Sequence, residues 1–348
     1  MPEKTMLELV NDLDEASRNF DWDAYNKKEE NSPLNIVIKP DILDLSELEE
    51  GENEAKFFRP ISFDEYIGQE RAKDRVNMYI EGHKKYNDNF PHVAIFAKPG
   101  TGKTLFANIL ANKLNKKFVC CSGGDLKREQ DVVDKIVECN QNVLFLDECH
   151  MLSPRIATFL LTILEEWKIV GKKIKPFICI IATTHKGNLA SKSSALIQRF
   201  KLEILLESYK KEDLVKILKQ FILKQYPNEI VDNNVLEEIA LNCRQTPRLA
   251  LTLLIEYIYS KNINKVKENS NIINEGITFS DLKVLQYLKD NVKGASKNTL
   301  ANFLQIEPKT YDHVIEPFLI SKEFITIESK RKITNKGLLF INSIKKGE

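Results

Sequence analysis

Apolar positions fall into two regimes along this chain. Between 92 and 182 they come as short continuous runs: Val93-Ala94-Ile95-Phe96 after His92, Phe118-Val119-Cys120-Cys121, Val143-Leu144-Phe145-Leu146, and Phe177-Ile178-Cys179-Ile180-Ile181-Ala182. Runs of this length bounded by polar residues predict strands buried on both faces. Stretches with helical spacing separate them, at 69–86 (where Ala72, Val76 and Ile80 recur on one face), 103–115, 130–139 and 154–167. Residues 167–174 read as a short hairpin around Gly171. Alternating strands and helices predict a parallel sheet whose site lies at the carboxyl ends of its strands.

From 210 onward the pattern is helical, at 211–224, 232–242 and 247–262, with Asp232 as a candidate N-cap and Pro247 in a first turn. The polar, Asn- and Lys-rich segment 263–278 reads as a linker or loop. Two or three short helices follow, then two strand-like pieces, Phe324 to Glu328 and Ile333-Thr334, around the basic turn Ser329-Lys330-Arg331-Lys332. That is the layout of a winged helix with a basic wing. Upstream, 5–20 is a plausible helix carrying Leu7, Leu9 and Leu13, and 34–38 a short strand. The expected organisation is an acidic extension at 1–55, an α/β nucleotide-binding domain at 56–206, a helical lid at 207–276 and a winged helix at 277–348.

Composition narrows the class. The 348 residues are 43% hydrophobic and 29% charged, which suits a globular chain of two or three domains. No run approaches the ~18 apolar residues of a membrane span, and the N-terminus lacks a signal-peptide core, so the expected location is cytoplasmic, with no membrane partner. Six cysteines without a Cys-x-x-Cys pair read as small buried thiols rather than zinc ligands. The net charge of +1 hides an asymmetry. Residues 1–55 hold 16 Asp/Glu against 5 Lys/Arg, a net of −11, which leaves +12 on the remainder. A basic body suits a nucleic-acid partner. The acidic arm fits three roles: masking that surface, binding a partner, or serving as a solvated leader.

The chemistry lies at two strand ends. Ala97-Lys98-Pro99-Gly100-Thr101-Gly102-Lys103-Thr104 follows the first strand and fits G-x-x-x-x-G-K-[ST] except at its first position, where Ala stands. Its backbone N–H groups would cradle polyphosphate, with Lys103 on the β/γ-phosphates and Thr104 on Mg²⁺. The third strand ends in Asp147-Glu148. Asp147 would join the metal shell, and Glu148 would polarise the attacking water. Thr183 and Thr184 end the fourth strand. They could contact the γ-phosphate or that water, although β-propensity accounts for Thr there equally well. Two readings fit Arg199: a residue reaching a neighbouring subunit's γ-phosphate, or a surface arginine at a helix C-terminus. Arg248, in a first helical turn, opposes the helix dipole unless an anion lies near it. Arg59-Pro60 and Tyr66-Ile67-Gly68-Gln69 could wall an adenine pocket.

Across about 57–348 these motifs resemble the RuvB family of AAA+ branch-migration motors. The carrying residues are Arg59-Pro60, the block from Asp64 to Glu70, Pro99 to Thr104, Leu144 to Ser153 with its Asp-Glu-x-His pattern, Ala182 to Thr184, Arg199-Phe200, Thr246-Pro247-Arg248 and Glu316-Pro317-Phe318-Leu319. The resemblance implies an AAA+ P-loop core, a helical lid and a DNA-gripping winged helix, with ATP and Mg²⁺ as cofactors. It implies Thr184 as sensor 1, Arg199 as a finger acting in trans, Arg248 as sensor 2, a homo-oligomeric ring (a hexamer being one size it allows), and duplex or junction DNA as partner, with Lys330, Arg331 and Lys332 as candidate contacts. Three features depart from the family. The segment between Trp167 and Phe177 is shorter than the hairpin that docks on RuvA, which puts that docking in doubt. Ile197 and Ala195 replace an expected Arg and Pro. The acidic arm has no counterpart and suggests a different loading partner, in a divergent relative for which a phage or mobile element is a fitting origin. The competing readings are a clamp-loader-like or remodelling ATPase, and a non-catalytic ATP-gated DNA adaptor.

Overall fold

The computed structural model describes residues 58–169, 172–184 and 195–344. The helix expected at 5–20, the strand at 34–38 and Gly171 lie outside them. Two compact units account for the described chain. The first comprises 76–96 and 106–204, the second 58–75, 97–105 and 205–344.

The first unit is built on a sheet of β1 (Val93–Ala97), β2 (Phe118–Ser122), β3 (Val143–Asp147), β6 (Ile178–Thr183) and β7 (Leu202–Leu206), in the order β2-β3-β6-β1-β7. Two-residue strands β4 (Lys168–Ile169) and β5 (Lys172–Lys173) pair antiparallel, as the hairpin expected there. All six residues of β6 and the first four of β3 are buried, as a sheet covered on both faces requires. The pairing is parallel: Ser122 lies opposite Asp147, Leu146 opposite Ile181, and Phe96 opposite Thr183. The chemistry-bearing ends of β2, β3, β6 and β1 therefore share one edge.

Helices α1 (Glu70–Tyr86), α2 (Lys103–Lys113), α3 (Glu129–Cys139) and α4 (Pro154–Glu166) connect these strands. Helix α4 shows why its ends fall where they do. Ser153 Oγ accepts from the Ile156 amide at 3.3 Å, Pro154 occupies the first turn, and Trp167 closes the helix in the left-handed region. Its buried stripe of Ile156, Leu160, Ile163 and Leu164 joins Val133, Leu144 and Ile181 in one core. Strand β7 has no clear signal in the sequence. Its five residues alternate between buried and more exposed at the sheet edge, and so short a piece resembles a connector in the sequence.

In the second unit, α5 (Lys211–Gln225), α6 (Asn233–Asn242) and α7 (Pro247–Ser260) pack around Leu214, Leu218, Ile239 and Leu254. Asp232 caps α6, its carboxylate accepting from the Asn234 amide at 2.7 Å. The linker expected at 263–278 is instead structured. Asn262 caps α8 (Ile263–Asn269) through two backbone amides, and β8 (Ile272–Asn274) pairs with β9 (Ile277–Thr278). Buried Val266, Ile272 and Ile277 anchor this polar stretch.

A separate core of Val284, Leu285, Leu300, Tyr311, Leu319 and Phe324 holds the C-terminal fold. It contains α9 (Phe279–Asp290), α10 (Lys297–Leu304), a helical run Pro308–Thr310 that passes through a π turn (Tyr311–Ile315) into Glu316–Ser321, the hairpin β10 (Ile325–Ile327) and β11 (Arg331–Ile333), and a closing helix Asn335–Ile344. Ala295 bridges β11 on its other side. The three-stranded edge is that of a winged helix. Arg331 and Lys332 lie within β11 rather than at the hairpin tip, as the sequence pattern had suggested.

Candidate functional site

In the second unit, the phosphate-loop sequence forms a turn that ends at the first residue of α2. Gly100 (φ 74°) and Gly102 (φ 94°) take conformations that side chains resist, and a Cβ on Gly102 would come within 3.0 Å of the Tyr66 hydroxyl. Thr101 is buried, and its hydroxyl ties the turn by donating to the Lys98 carbonyl at 2.7 Å. Tyr66 Oη donates to the Thr101 carbonyl at 3.4 Å and accepts from Tyr209 Oη at 3.1 Å. Burial, then the neighbouring Tyr209, pushes the Tyr66 phenol well above its usual range, so it stays a neutral donor. Tyr66 thus supports the loop from behind. Ile67 is half-buried beside it. The first turn of α2 carries no acidic side chain, and Lys103 is largely buried. A helix N-terminus without acidic side chains in its first turn is compatible with a polyphosphate.

Arg248 is brought to the same loop. A Cβ on Gly100 would lie 3.4 Å from Arg248 Cβ and 3.6 Å from Thr246 Cβ. Arg248 is exposed in the first turn of α7, after Pro247. Arg59 is exposed, Pro60 half-buried, and the preceding Phe58 amide donates to Gln225 Oε1 at 2.8 Å.

In the first unit, the end of β3 gathers a second cluster. Asp147 Oδ1 accepts the Glu148 amide at 2.8 Å. Glu148 itself is left-handed (φ 45°, ψ 44°), an uncommon state for a residue with a long side chain. Its Oε2 accepts from Thr184 Oγ1 at 3.3 Å and lies 3.1 Å from His150 Nδ1. The same nitrogen is 3.1 Å from Thr183 Oγ1. Thr183 is fully buried and Thr184 half-buried. The carboxylate, the imidazole and both hydroxyls therefore form one network. His150 had no role assigned from the sequence, although it occupies the Asp-Glu-x-His block.

Arg199 ends a helical segment at 195–199. Its guanidinium donates to the Leu164 carbonyl through Nη2 (2.8 Å) and Nε (3.2 Å), at the C-terminal end of α4. It lines a cleft of about 680 Å³ with Phe90, His92, Trp167, Phe177 and Lys201. His92 Nδ1 accepts the Cys179 amide at 3.0 Å. Burial, and secondarily Arg199, lowers the imidazole from 6.5 to about 4.

In the winged helix, Arg331 is committed inward. Its Nε and Nη2 donate to Glu316 at 2.6 and 3.2 Å, and the pair is mostly buried. Lys332 pairs with Glu328 at 2.8 Å, and Lys330 is exposed in the hairpin turn. The six cysteines are free thiols, all buried but half-buried Cys120. No described helix is long and apolar enough to cross a membrane.

Comparison with known proteins matches two family models: the Holliday junction DNA helicase RuvB P-loop domain over residues 58–206 and the RuvB C-terminal winged helix domain over 274–342. The Holliday junction branch migration complex subunit RuvB of Campylobacter fetus is 31% identical over 299 residues, covering 79% of this chain and 86% of that protein. The same subunit of Mycoplasmopsis pulmonis is 30% identical, covering 82% and 98%. Among solved structures, the Thermotoga maritima RuvB Holliday junction branch migration motor aligns with a TM-score of 0.73 at 28% identity, covering 82% of this chain and 99% of that one.

Proposed function

Because this chain belongs to the RuvB family, we propose that it is an ATP-hydrolysing DNA motor that assembles as a ring and translocates duplex DNA or migrates Holliday junctions. The observation that carries this reading is the approach of the Arg248-bearing turn to the phosphate loop within one unit, together with a winged helix in the same chain. It joins a nucleotide sensor, a lid helix and a DNA-binding fold. The C-terminal winged helix also favours a motor over a clamp loader, which would carry a helical collar there.

The residues divide the work as follows. The backbone of Pro99 to Gly102 and Lys103 holds the polyphosphate, with Tyr66 fixing the loop's shape. Arg59, Pro60 and Ile67 contribute to the nucleotide pocket. Thr104 and Asp147 are the residues that would hold Mg²⁺, which when bound neutralises charge on the β/γ-phosphates. Glu148 takes a proton from the attacking water, and Thr184 and His150 position its carboxylate. Arg199 acts in trans on a neighbour's γ-phosphate, leaving the Leu164 carbonyl to do so. Arg248 reports the phosphate state to the lid. DNA is held mainly through its phosphates, with Lys330 and Lys332 as the proposed wing contacts and Arg331 as their structural support. The arm at 1–55 is the proposed site for a loading partner.

The test is ATP turnover by purified protein with and without duplex or four-way-junction DNA. DNA-stimulated hydrolysis is expected, and its absence overturns the motor reading. Mixing Arg199→Ala with Lys103→Ala should restore part of the activity, because each supplies what the other lacks across a shared site. No recovery at any ratio would refute the trans finger.

A further inference from the structure

The five residues Arg244 to Arg248 approach the phosphate loop at one end and bond to the winged helix at the other, all within the second unit. Thr246 and Arg248 face Gly100. The Tyr209 amide donates to the Gln245 carbonyl at 3.2 Å, and the Tyr209 hydroxyl continues through Tyr66 to Thr101. The segment is therefore linked to the loop twice. Its backbone is strained, since Arg244 (φ 50°) and Gln245 (φ 60°) are consecutive left-handed residues with full side chains.

Arg244 spends its whole guanidinium on the C-terminal fold. Nε donates to the Gly276 carbonyl at 2.9 Å, Nη1 to the Val314 carbonyl at 3.3 Å, and Nη2 to Thr278 Oγ1 at 3.3 Å and Asp281 Oδ2 at 2.5 Å. The guanidinium carbon sits 4.2 Å over the Phe318 ring. Asp281 is fully buried and also accepts the Thr278 amide and hydroxyl, each at 2.7 Å. Gly276 (φ 76°) makes room, because a Cβ there would meet Arg244 Cγ at 3.1 Å. One side chain thus gathers acceptors from the β8–β9 hairpin, the start of α9 and the π turn.

A buried ion pair is a poor source of stability, since desolvation cancels much of its attraction. What this planar fork supplies is orientation: three directions fixed at once, which a lysine cannot reproduce. We propose that Arg244 is a positioning residue that carries the nucleotide state of the phosphate loop to the winged helix, so that DNA affinity follows the bound nucleotide. The proposal rests on the motor reading above.

The experiment measures duplex-DNA affinity at fixed salt, with and without a non-hydrolysable ATP analogue, for the full chain and for Arg244→Lys. The parent protein should show a ratio of about fivefold, within the ordinary range of coupling between sites. Arg244→Lys keeps a cation beside Asp281, so each separate affinity should hold within about threefold while the ratio falls towards one. Hydrogen exchange gives an independent readout: amides at 276–281 and 311–318 should respond to the analogue in the parent and not in the variant. Should Arg244→Lys fail to fold, Arg244→Met combined with Asp281→Leu leaves no buried charge unpaired and is measured instead. An unchanged ratio and an unchanged exchange response in the variant overturn the proposal. A parent that shows no ratio also overturns it, yet leaves the motor reading standing if DNA still stimulates its ATP turnover. A parent without that stimulation fails at the earlier step.

Discussion

His92 makes folding stability depend on pH in a way that can be worked out from its surroundings. The ring is buried against Trp167, Phe177 and Phe200, and Nδ1 must be unprotonated to accept the Cys179 amide. Burial, then Arg199, lowers its pKa from 6.5 to about 4. Between these values the unfolded chain binds a proton that the folded chain refuses. The histidine's contribution is therefore fully present above pH 6.5 and is lost as pH falls towards 4. At 1.36 kcal/mol per unit, on the order of 1 kcal/mol disappears by pH 5.5 and about 3 kcal/mol by pH 4. Urea unfolding at pH 7.5, 5.5 and 4.5 measures it, followed by the emission of Trp167, whose ring centre is 5.7 Å from that of His92. The other tryptophan, Trp22, is replaced by Phe so that one reporter remains. Titrating carboxylates contribute alike to the parent and to His92→Phe. The variant starts lower, by about 1–3 kcal/mol, for the stranded Cys179 amide. The difference between the two should shrink as pH falls. Parallel stability curves from pH 7.5 to 4.5 would refute the buried neutral imidazole.

Four substitutions test the remaining assignments. Glu148→Gln should bind ATP with near-parental affinity while turnover drops at least about 100-fold, read by filter retention of labelled nucleotide and by phosphate release. Gly102→Ala should lose nucleotide affinity and about 1–3 kcal/mol of stability, because φ is 94° and the new methyl meets Tyr66; isothermal titration and thermal melts check both. Lys330→Ala should lower the slope of log affinity against log salt by about one, whereas Arg331→Ala should act on stability, by about 3 kcal/mol, through an unpaired Glu316.

Much of this molecule is legible as a string of residues. The apolar runs of β1, β3 and β6 state their burial directly, and the Gly100–Gly102 turn that follows β1 points to a phosphate loop, an ordinary Gly-rich turn being the alternative that the Asp147-Glu148 pair weighs against. What the string does not show depends on partners distant in sequence. Val266, Ile272 and Ile277 are scattered apolar residues in a polar stretch, and the two cores they enter order 263–278. Strand β7 is identifiable by its place at a sheet edge, not by its five letters. Arg331 resembled every other basic residue of its turn until Glu316, 15 positions earlier, was found beside it. His92 and Arg244 carry no motif at all. Their meaning lies in the Cys179 amide and in Asp281, 87 and 37 positions away.

The left-handed backbone at Glu148 has a bearing on which substitutions this position will accept. Aspartate and asparagine are at ease in that conformation, but each is one methylene too short to span to Thr184 and His150. Glutamine has the length, and shares the conformational discomfort while surrendering the charge. Glycine removes the discomfort and everything else. Backbone preference and side-chain reach thus pull towards different amino acids, so a variant library at this codon should sort into proteins that are sturdier but idle and proteins that are frailer and idle, with the parental residue alone at the crossing of the two demands.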